Sequence, residues 1–207
     1  MIMFDYWHAQ LGLINAGRPF NLNGIQYPAN WLTLATPTER STHGFKLVQN
    51  DVKPDDETYN VSGPVIDSSG PIVQVTYTST PRPLAALKKH KLEKLRQKRK
   101  TVERGGTEPT PGQIILTDVD DQAKITGAWA LAQQNPAVIM NWKAASGWVQ
   151  LNAAAINSIA LAVATHVQTC FNNERTHADA INALSTPAAV LAYDFSTGWP
   201  ANPQVNP

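Results

Sequence analysis

A run of alternating apolar and polar residues near the start of the chain is typical of strands with one buried face. Residues 20–27 alternate in this way around the dipeptide Asn23-Gly24. Because this dipeptide readily adopts the two positive φ angles of a type I′ turn, we predict a β-hairpin here. Further strands are predicted at residues 45–48, 59–66, 72–78 and 113–116.

Capping signals mark the starts of four helices. A side-chain oxygen directly before a helix can accept a hydrogen bond from a backbone N–H group of the first turn. The predicted caps are Thr36, Asp118, Asn152 and Thr186. A proline follows the first and the last of these caps, and Glu39 completes a capping box with Thr36.

The segment from residue 84 to residue 102 has the periodicity of a long amphipathic helix. Its apolar arc spans about 140° on a helical wheel. The arc contains Leu84, Leu87, Leu92, Leu95 and Val102. Gly105-Gly106 closes the helix. Because four cations lie within or beside the arc, we expect a peripheral helix, a strut between domains or an oligomer seam.

Helical patterns dominate the remainder of the chain. The predicted elements are a helix ended by Asn135-Pro136, a hairpin over residues 141–151, a helix after Asn152, another helix at residues 174–184, a short helix after Thr186 and an extended tail from Gly198. The helix after Asn152 places Cys170 on its buried face, where a cysteine behaves as an unreactive hydrophobe.

Composition divides the chain into regions of different chemistry. Residues 1–83 hold eight of the 15 prolines, and residues 123–207 hold 20 of the 26 alanines, so strand and turn chemistry gives way to helix chemistry. We predict an α+β fold with four parts. They are a small β-rich N-terminal module at 1–82, a long basic linking helix at 83–106, a C-terminal helical domain with a small hairpin at 107–193, and an extended tail at 194–207.

The net charge of +1 conceals a strongly basic segment. Residues 82–104 contain ten Lys and Arg residues against two acids, a local charge of +8. The single cysteine excludes an internal disulfide and a cysteine-rich metal site. Asp5 stands where a secretory signal carries a cation, so we expect no signal peptide. The apolar stretch at residues 153–167 is shorter than a membrane span, and we expect no membrane partner.

No pattern of catalytic or cofactor-binding residues is found. The sequence has no G-x-S-x-G, no phosphate loop and no histidine pair at helical spacing. The acids Asp118, Asp120 and Asp121 lack the further ligands of a calcium loop, so helix capping explains them better. We predict a chain that is not an enzyme, with no catalytic residue, no metal site and no cofactor. His166, at the border of an apolar helix face, is the histidine most open to a special role.

Six tryptophans are numerous for 207 residues. We expect most of them in the core, with Trp7 and Trp199 near the termini as the exceptions that can anchor a partner. The basic helix can contact phosphates, but it has no aromatic residue for base stacking. A role as a nucleic-acid-binding accessory protein is therefore the alternative interpretation, and nucleic acid is not the expected partner.

The sequence resembles a family of bacteriophage proteins. The first stretch is Asn23-Gly24-Ile25-Gln26-Tyr27-Pro28-Ala29-Asn30-Trp31-Leu32, followed by residues 36–40, 43–45, 52–64 and 77–84. This part resembles the N-terminal module of tailed-bacteriophage tail-fibre and baseplate-associated proteins. Residues 103–106, 117–128 and 141–153 are similar to an α-rich phage domain of undefined activity that accompanies tail-fibre genes. The shared motifs are architectural, and the resemblance gives no catalytic residue.

The resemblance implies a phage-tail context. It implies that the protein binds the tail fibre or the baseplate, either as a structural component of the virion or as a fibre assembly chaperone. It then resides in the host cytoplasm during assembly and in the virion tail. Self-association is a second expectation. Six residues are the candidate contacts for a partner, namely Leu84, Leu87, Leu92, Leu95, Val102 and Trp199.

Overall fold

The computed structural model describes residues 5–110, 112–144, 147–201 and 203. The chain divides into two compact units, Met1–Arg82 and Pro83–Pro207. Strands fill most of the first unit, and helices with short hairpins fill the second. The predicted α+β class is confirmed.

The first unit is built on a mixed five-stranded sheet with the order β2-β1-β5-β7-β6. Its elements are β1 (Tyr6–His8), β2 (Gly12–Ile14), β3 (Phe20–Leu22), β4 (Ile25–Tyr27), α1 (Trp31–Leu34), α2 (Pro37–Thr42), β5 (Lys46–Asn50), β6 (Tyr59–Asp67) and β7 (Ile72–Pro81). Strands β5 and β7 pair in parallel, and Leu47 lies opposite Ile72. The other strand pairs of the sheet are antiparallel.

Local signals in the first unit are confirmed. Asn23 and Gly24 have φ values of 53° and 83°, as the turn between β3 and β4 requires. The hydroxyl of Thr36 accepts a hydrogen bond from the backbone N–H of Glu39 at 3.2 Å, and the carboxylate of Glu39 accepts one from the backbone N–H of Thr36 at 2.7 Å. The capping box therefore starts α2 where the sequence predicts it.

The core of the first unit is aromatic. One buried cluster contains Phe20, Leu22, Leu32 and Phe45, and Val73 and Val75 of β7 are buried as well. The ring of Phe20 stacks on Tyr27 with a centroid separation of 4.9 Å. Strands β1 and β2, which the alternation pattern did not identify, complete the sheet at residues 6–14. Each has only three residues, too few for a periodic pattern.

The second unit contains four helices and two hairpins among its described residues. Its elements are α3 (Leu84–Glu103), β8 (Thr107–Thr110), β9 (Gln113–Ile115), α4 (Val119–Gln134), β10 (Ile139–Ala144), β11 (Gly147–Asn152), α5 (Ala153–Ala183) and α6 (Pro187–Ala192). Asp118, Asn152 and Thr186 cap their helices through the side chain, as predicted. The hairpin of β10 and β11 is also confirmed.

Helix α5 lies between α3 and α4 and runs antiparallel to both. Lys88 at the start of α3 contacts Asn182 at the end of α5, whereas Val102 near the end of α3 contacts His166. On the other side, Gln133 at the end of α4 contacts Asn157 at the start of α5. The inward face of α5 is apolar, and its buried residues include Ile156, Val163, Cys170 and Ile181.

Two sequence-based predictions about helices were wrong. The segments predicted as separate helices, at 153–171 and 174–184, form one continuous helix of 31 residues. No glycine or proline interrupts residues 171–174, so nothing in the backbone chemistry ends the helix there. The basic helix α3 was predicted as a linker, yet it lies inside the second unit. Its contacts with α5 and α6 make it part of that fold.

Candidate functional site: surfaces of the second unit

Three of the six predicted partner-binding residues form part of the core of the second unit. Leu87, Leu95 and Val102 are almost completely buried. They lie on the face of α3 that packs within the unit. A side chain that is already buried in its own unit offers no surface to a separate protein. The assignment of these three residues to partner binding is therefore corrected, while Leu84 and Leu92 are only partly buried.

The predicted anchor Trp199 holds the C-terminal segment onto the chain itself. Its indole N–H donates to the carbonyl of Phe195 at 2.8 Å, and its ring stacks on His177 with a centroid separation of 5.9 Å. The same histidine contacts the hydroxyl of Tyr193 at 2.8 Å and the carbonyl of Thr197 at 3.1 Å. Thus the segment at 193–199 is fastened by a residue of α5.

Two lysines of α3 are bound to the ends of neighbouring helices. The ammonium group of Lys88 donates to the carbonyl of Asn182 at 2.6 Å, in the last turn of α5. That of Lys91 donates to the carbonyls of Leu191 at 3.1 Å and Tyr193 at 2.9 Å, at the end of α6. The last carbonyls of a helix lack intrahelical donors and carry its negative dipole end, so a cation stabilises them. Burial lowers the pKa of Lys91, and the nearby carboxylate of Asp194 acts in the opposite direction.

Arg99 joins α3 to α5 through charge. Its guanidinium pairs with Glu103 on its own helix and with Glu174 of α5 at 2.7 Å. It also lies over the ring of Phe171, 4.4 Å from the centroid. Burial alone lowers the pKa of Arg99, but the two carboxylates outweigh it and the pKa is raised overall. Much of the basic charge that the sequence concentrates in α3 is therefore committed to contacts inside the unit.

This commitment weakens the nucleic-acid interpretation. Lys88, Lys91 and Arg99 face the chain's own carbonyls and carboxylates, so they cannot also contact phosphates without breaking these bonds. Among the exposed cations, Arg96 pairs with Glu93 at 3.4 Å. Since phosphate binding scales with the number of cations available, α3 offers fewer contacts than its sequence indicates.

His166 and Cys170 are adjacent and buried in α5. The Nε2 atom of His166 lies 3.1 Å from the carbonyl oxygen of Val102 and 3.9 Å from Sγ of Cys170. Burial raises the pKa of the Cys170 thiol to about 11, with Glu103 acting in the same direction. The predicted burial of Cys170 is confirmed, and this environment disfavours the reactive thiolate.

The acidic run before α4 caps that helix. The carboxylate of Asp118 accepts a hydrogen bond from the backbone N–H of Asp121 at 2.8 Å. This bond lowers the pKa of Asp118. Within the described part of the chain, no group of three or more His, Cys, Asp or Glu residues is arranged to hold a metal ion.

Exposed apolar side chains form a groove beside the β10–β11 hairpin. This hairpin groove is lined by Ile114, Leu116, Trp142, Val149, Leu151 and Ile159, with Asp121 and Lys143 among its polar neighbours. On the opposite face of the same hairpin, Trp148 is 74% exposed. Large apolar residues on a protein surface are normal singly, but a contiguous set marks an interaction site.

A second groove runs between α4 and α5. This interhelical groove has a volume of about 380 Å³ and is lined by Gln122, Ile125, Thr126, Trp129, Asn157, Ala160, Leu161, Val163, Ala164 and Val167. Leu161 is 70% exposed and Trp129 is 44% exposed. No lining residue carries a formal charge.

The positions of the six tryptophans contradict the expectation that most of them lie in the core. None of them belongs to the buried residues, and Trp129 and Trp148 are exposed. The sequence analysis placed most of them in the core because aromatic rings contribute large apolar areas. Trp129 instead lines the interhelical groove and Trp148 is exposed on the β10–β11 hairpin, and the number of tryptophans was the one signal of this in the sequence.

A family model described as a domain of unknown function, DUF4376, matches residues 86–197. The chain belongs to the DUF4376 family. No curated protein and no solved structure matches the chain. The matched range begins inside α3 and extends past α6, so the basic helix and the residues it caps are parts of the DUF4376 domain. Both grooves also lie within this range.

Helix α5 of the DUF4376 domain meets the length and composition criteria for a membrane span. The apolar stretch at residues 153–167, on which the expectation of no membrane span was based, is only the first half of this helix. The continuous helix has 31 residues, and 22% of its most apolar 18-residue window is buried. Length and composition alone are weak evidence, because a core helix of a globular domain meets the same criteria.

Proposed function

We propose that this DUF4376 protein is a non-enzymatic protein that binds a phage tail-fibre or baseplate protein. It acts as a structural component of the tail or as a fibre assembly chaperone. The observation that carries the proposal is the apolar surface of the β10–β11 hairpin, which has the hairpin groove on one face and the exposed Trp148 on the other. The resemblance in both halves of the sequence supplies the class of partner.

Both faces of the β10–β11 hairpin have the chemistry of a protein-binding surface, the groove on one face and Trp148 with Ile139 on the other. Tryptophan is enriched among the residues that dominate binding energy, and it is most effective when the partner excludes water around it. Ile139 on the same hairpin is 66% exposed. Lys143 and Asp121 supply the charged rim that typically surrounds an apolar interface centre. A partner that covers this groove removes several apolar side chains from water at once.

The proposal also assigns the location of the protein. Binding to a fibre that is being assembled places it in the host cytoplasm, and permanent attachment places it in the virion tail. Mass spectrometry of purified virions separates the two versions. Presence at stoichiometric amounts supports the structural component, and absence supports the chaperone.

The test is co-expression with a tail-fibre or baseplate protein encoded in the same genome, followed by pull-down and titration calorimetry. We expect a complex in which Trp148→Ala raises Kd by at least about 30-fold, the effect of losing an interface hot spot. Leu34→Ala is the matched control, because Leu34 is equally exposed but lies in the first unit. We expect it to leave Kd unchanged.

A negative result has a clear form. If neither the fibre nor the baseplate protein co-purifies, and a phage lacking this gene makes normal fibres and infectious particles, the proposal is wrong. If a complex forms but Trp148→Ala binds as tightly as wild type, the face of the hairpin that carries Trp148 is not the contact surface.

A further inference from the structure

The outward face of α5 carries no formal charge over most of its length. From Ala153 to Asn173 the helix contains no Asp, Glu, Lys or Arg. The exposed positions recur every three or four residues. They are Ala154, Asn157, Ser158, Leu161, Ala164, Thr165, Gln168, Phe171 and Asn172. We name these nine residues the neutral face.

A face of this composition is unusual for a helix that meets water. Exposed helix faces normally carry charged residues, as the exposed residues of α3 do with Lys89, Glu93, Lys94 and Arg96. The centres of protein interfaces, by contrast, are depleted of charge. Helix α5 thus has a buried face that packs within the unit and an exposed face with the composition of an interface.

We infer that a second copy of this chain docks on the neutral face and the adjoining interhelical groove. The antiparallel helices α4 and α5 of each copy then pack against those of the other, in the manner of a four-helix bundle. Leu161 and Trp129 supply the apolar contacts. The inference goes beyond the proposed function, because Trp148 and the hairpin groove are not needed for it.

The chemistry of the neutral face favours a copy of itself. Asn157 accepts a hydrogen bond from Gln133 at 2.7 Å, and Gln168 donates one to Asn172 at 2.9 Å. These amides need no charged partner, and an equally uncharged copy of the same face can cover them without separating an ion pair. A strongly charged surface would lose its hydration here without gaining a counter-charge. A lipid surface would leave the amide and hydroxyl groups of the face without hydrogen-bond partners.

The size of the surface matches a dimer of moderate affinity. From Ala154 to Asn172 the helix rises by about 27 Å. Two helices side by side, about 9 Å apart, give a footprint of about 500–600 Å² per copy. This area lies near the lower end of the range for specific interfaces. We therefore expect a dimer with a dissociation constant in the micromolar range.

Sedimentation velocity of the full chain tests the inference. Between about 1 and 200 µM we expect the mass to rise from the monomer value of 22.6 kDa towards twice that value. Leu161→Glu places an uncompensated charge in the neutral face, and we expect it to raise the dimer Kd at least about 100-fold. Far-UV circular dichroism verifies that the variant is folded.

Leu131→Glu is the matched control. Leu131 is 48% exposed on α4 but does not line the interhelical groove. We expect this variant to dimerise like wild type. A folded wild-type chain that stays monomeric at 200 µM overturns the inference, as does a dimer that Leu161→Glu leaves intact.

Two further measurements test whether a lipid surface or the fibre protein, and not a second copy, covers the neutral face. They also distinguish this inference from the proposed function. Flotation with vesicles of neutral phospholipid that captures wild type but not Leu161→Glu overturns the inference in favour of a lipid surface. Loss of fibre binding in Leu161→Glu, with a wild-type chain that is monomeric alone, overturns it in favour of the fibre. If Leu161→Glu abolishes the dimer but still binds the fibre, the inference is supported. Dimerisation of the wild type supports it equally when the wild type does not bind the fibre.

Discussion

Replacing Lys91 by methionine tests whether the basic helix acts as an internal support of the DUF4376 domain. Methionine keeps most of the apolar stem of lysine but removes the ammonium group. The carbonyls of Leu191 and Tyr193 then lose the donor that lies 3.1 and 2.9 Å away. We expect the second unit to become less stable.

The size of the effect follows from two opposing contributions. A hydrogen bond from a charged donor contributes about 1.5–3 kcal/mol when its acceptor is otherwise unpaired. The lowered pKa of Lys91 shows that burial of the ammonium group offsets part of this gain. We expect a net loss of about 1–2 kcal/mol, since water can reach part of this site and hydrate the carbonyls.

The matched control is Lys89→Met on the same helix. Lys89 is exposed, and lysine and methionine have nearly the same helix propensity, so neither packing nor propensity separates the two variants. Urea unfolding followed by circular dichroism at 222 nm reports mainly on the second unit, which holds the long helices. With a typical urea dependence, Lys91→Met lowers the midpoint by about 0.5–1 M and Lys89→Met leaves it unchanged within about 0.2 M.

Equal midpoints for the two variants would refute the reasoning. The contacts of Lys91 with the end of α6 would then contribute nothing, and the cations of α3 would be free to serve another surface. A larger loss for Lys89→Met would refute it more strongly, because that side chain has no buried acceptor.

Two other properties follow from the same contacts. Burial raises the pKa of Cys170 from its usual value of 9.0 to about 11. We therefore expect Ellman's reagent at pH 8 to modify the native thiol at least about 100-fold more slowly than the thiol of the urea-unfolded chain. Similar rates would contradict the burial of Cys170. The pKa of Asp118 is lowered by the backbone N–H of Asp121, so its stabilising contribution is complete above the ordinary value near 3.8 and is lost as the pH falls through the lowered pKa. Wild type should therefore lose thermal stability between about pH 4 and pH 2 more steeply than Asp118→Asn, which keeps the capping oxygen without titrating, and parallel curves would contradict this.

The sequence by itself determined the features that depend on neighbouring residues. The turn at Asn23-Gly24 needs only two consecutive residues that tolerate positive φ. The caps at Thr36, Asp118 and Asn152 act on N–H groups three residues away. Interactions of this range are decided by local backbone geometry, so a pattern in the sequence identifies them.

The same locality explains the errors. The end of a helix is visible in the sequence when a breaker ends it, and residues 171–174 of α5 contain none. Continuity through this region is supported by packing along α3, where Glu174 meets Arg99 from 75 residues earlier. The short strands β1 and β2 exist because β5 lies beside β1, not because of their own propensity.

Only the tertiary structure decided what the candidate site is. The leucine arc and the cations of α3 suggested a surface for a partner, but whether an amphipathic face meets a partner or the chain's own helices depends on which elements fold against it. Lys91 contacts carbonyls 100 and 102 residues away, and His177 contacts the carbonyl of Thr197, which lies 20 residues later in the chain. The unpartnered faces, at Trp148 and Leu161, became visible only when the remaining apolar residues had been placed in the core. Periodicity shows that a face is apolar; packing decides whether it is covered.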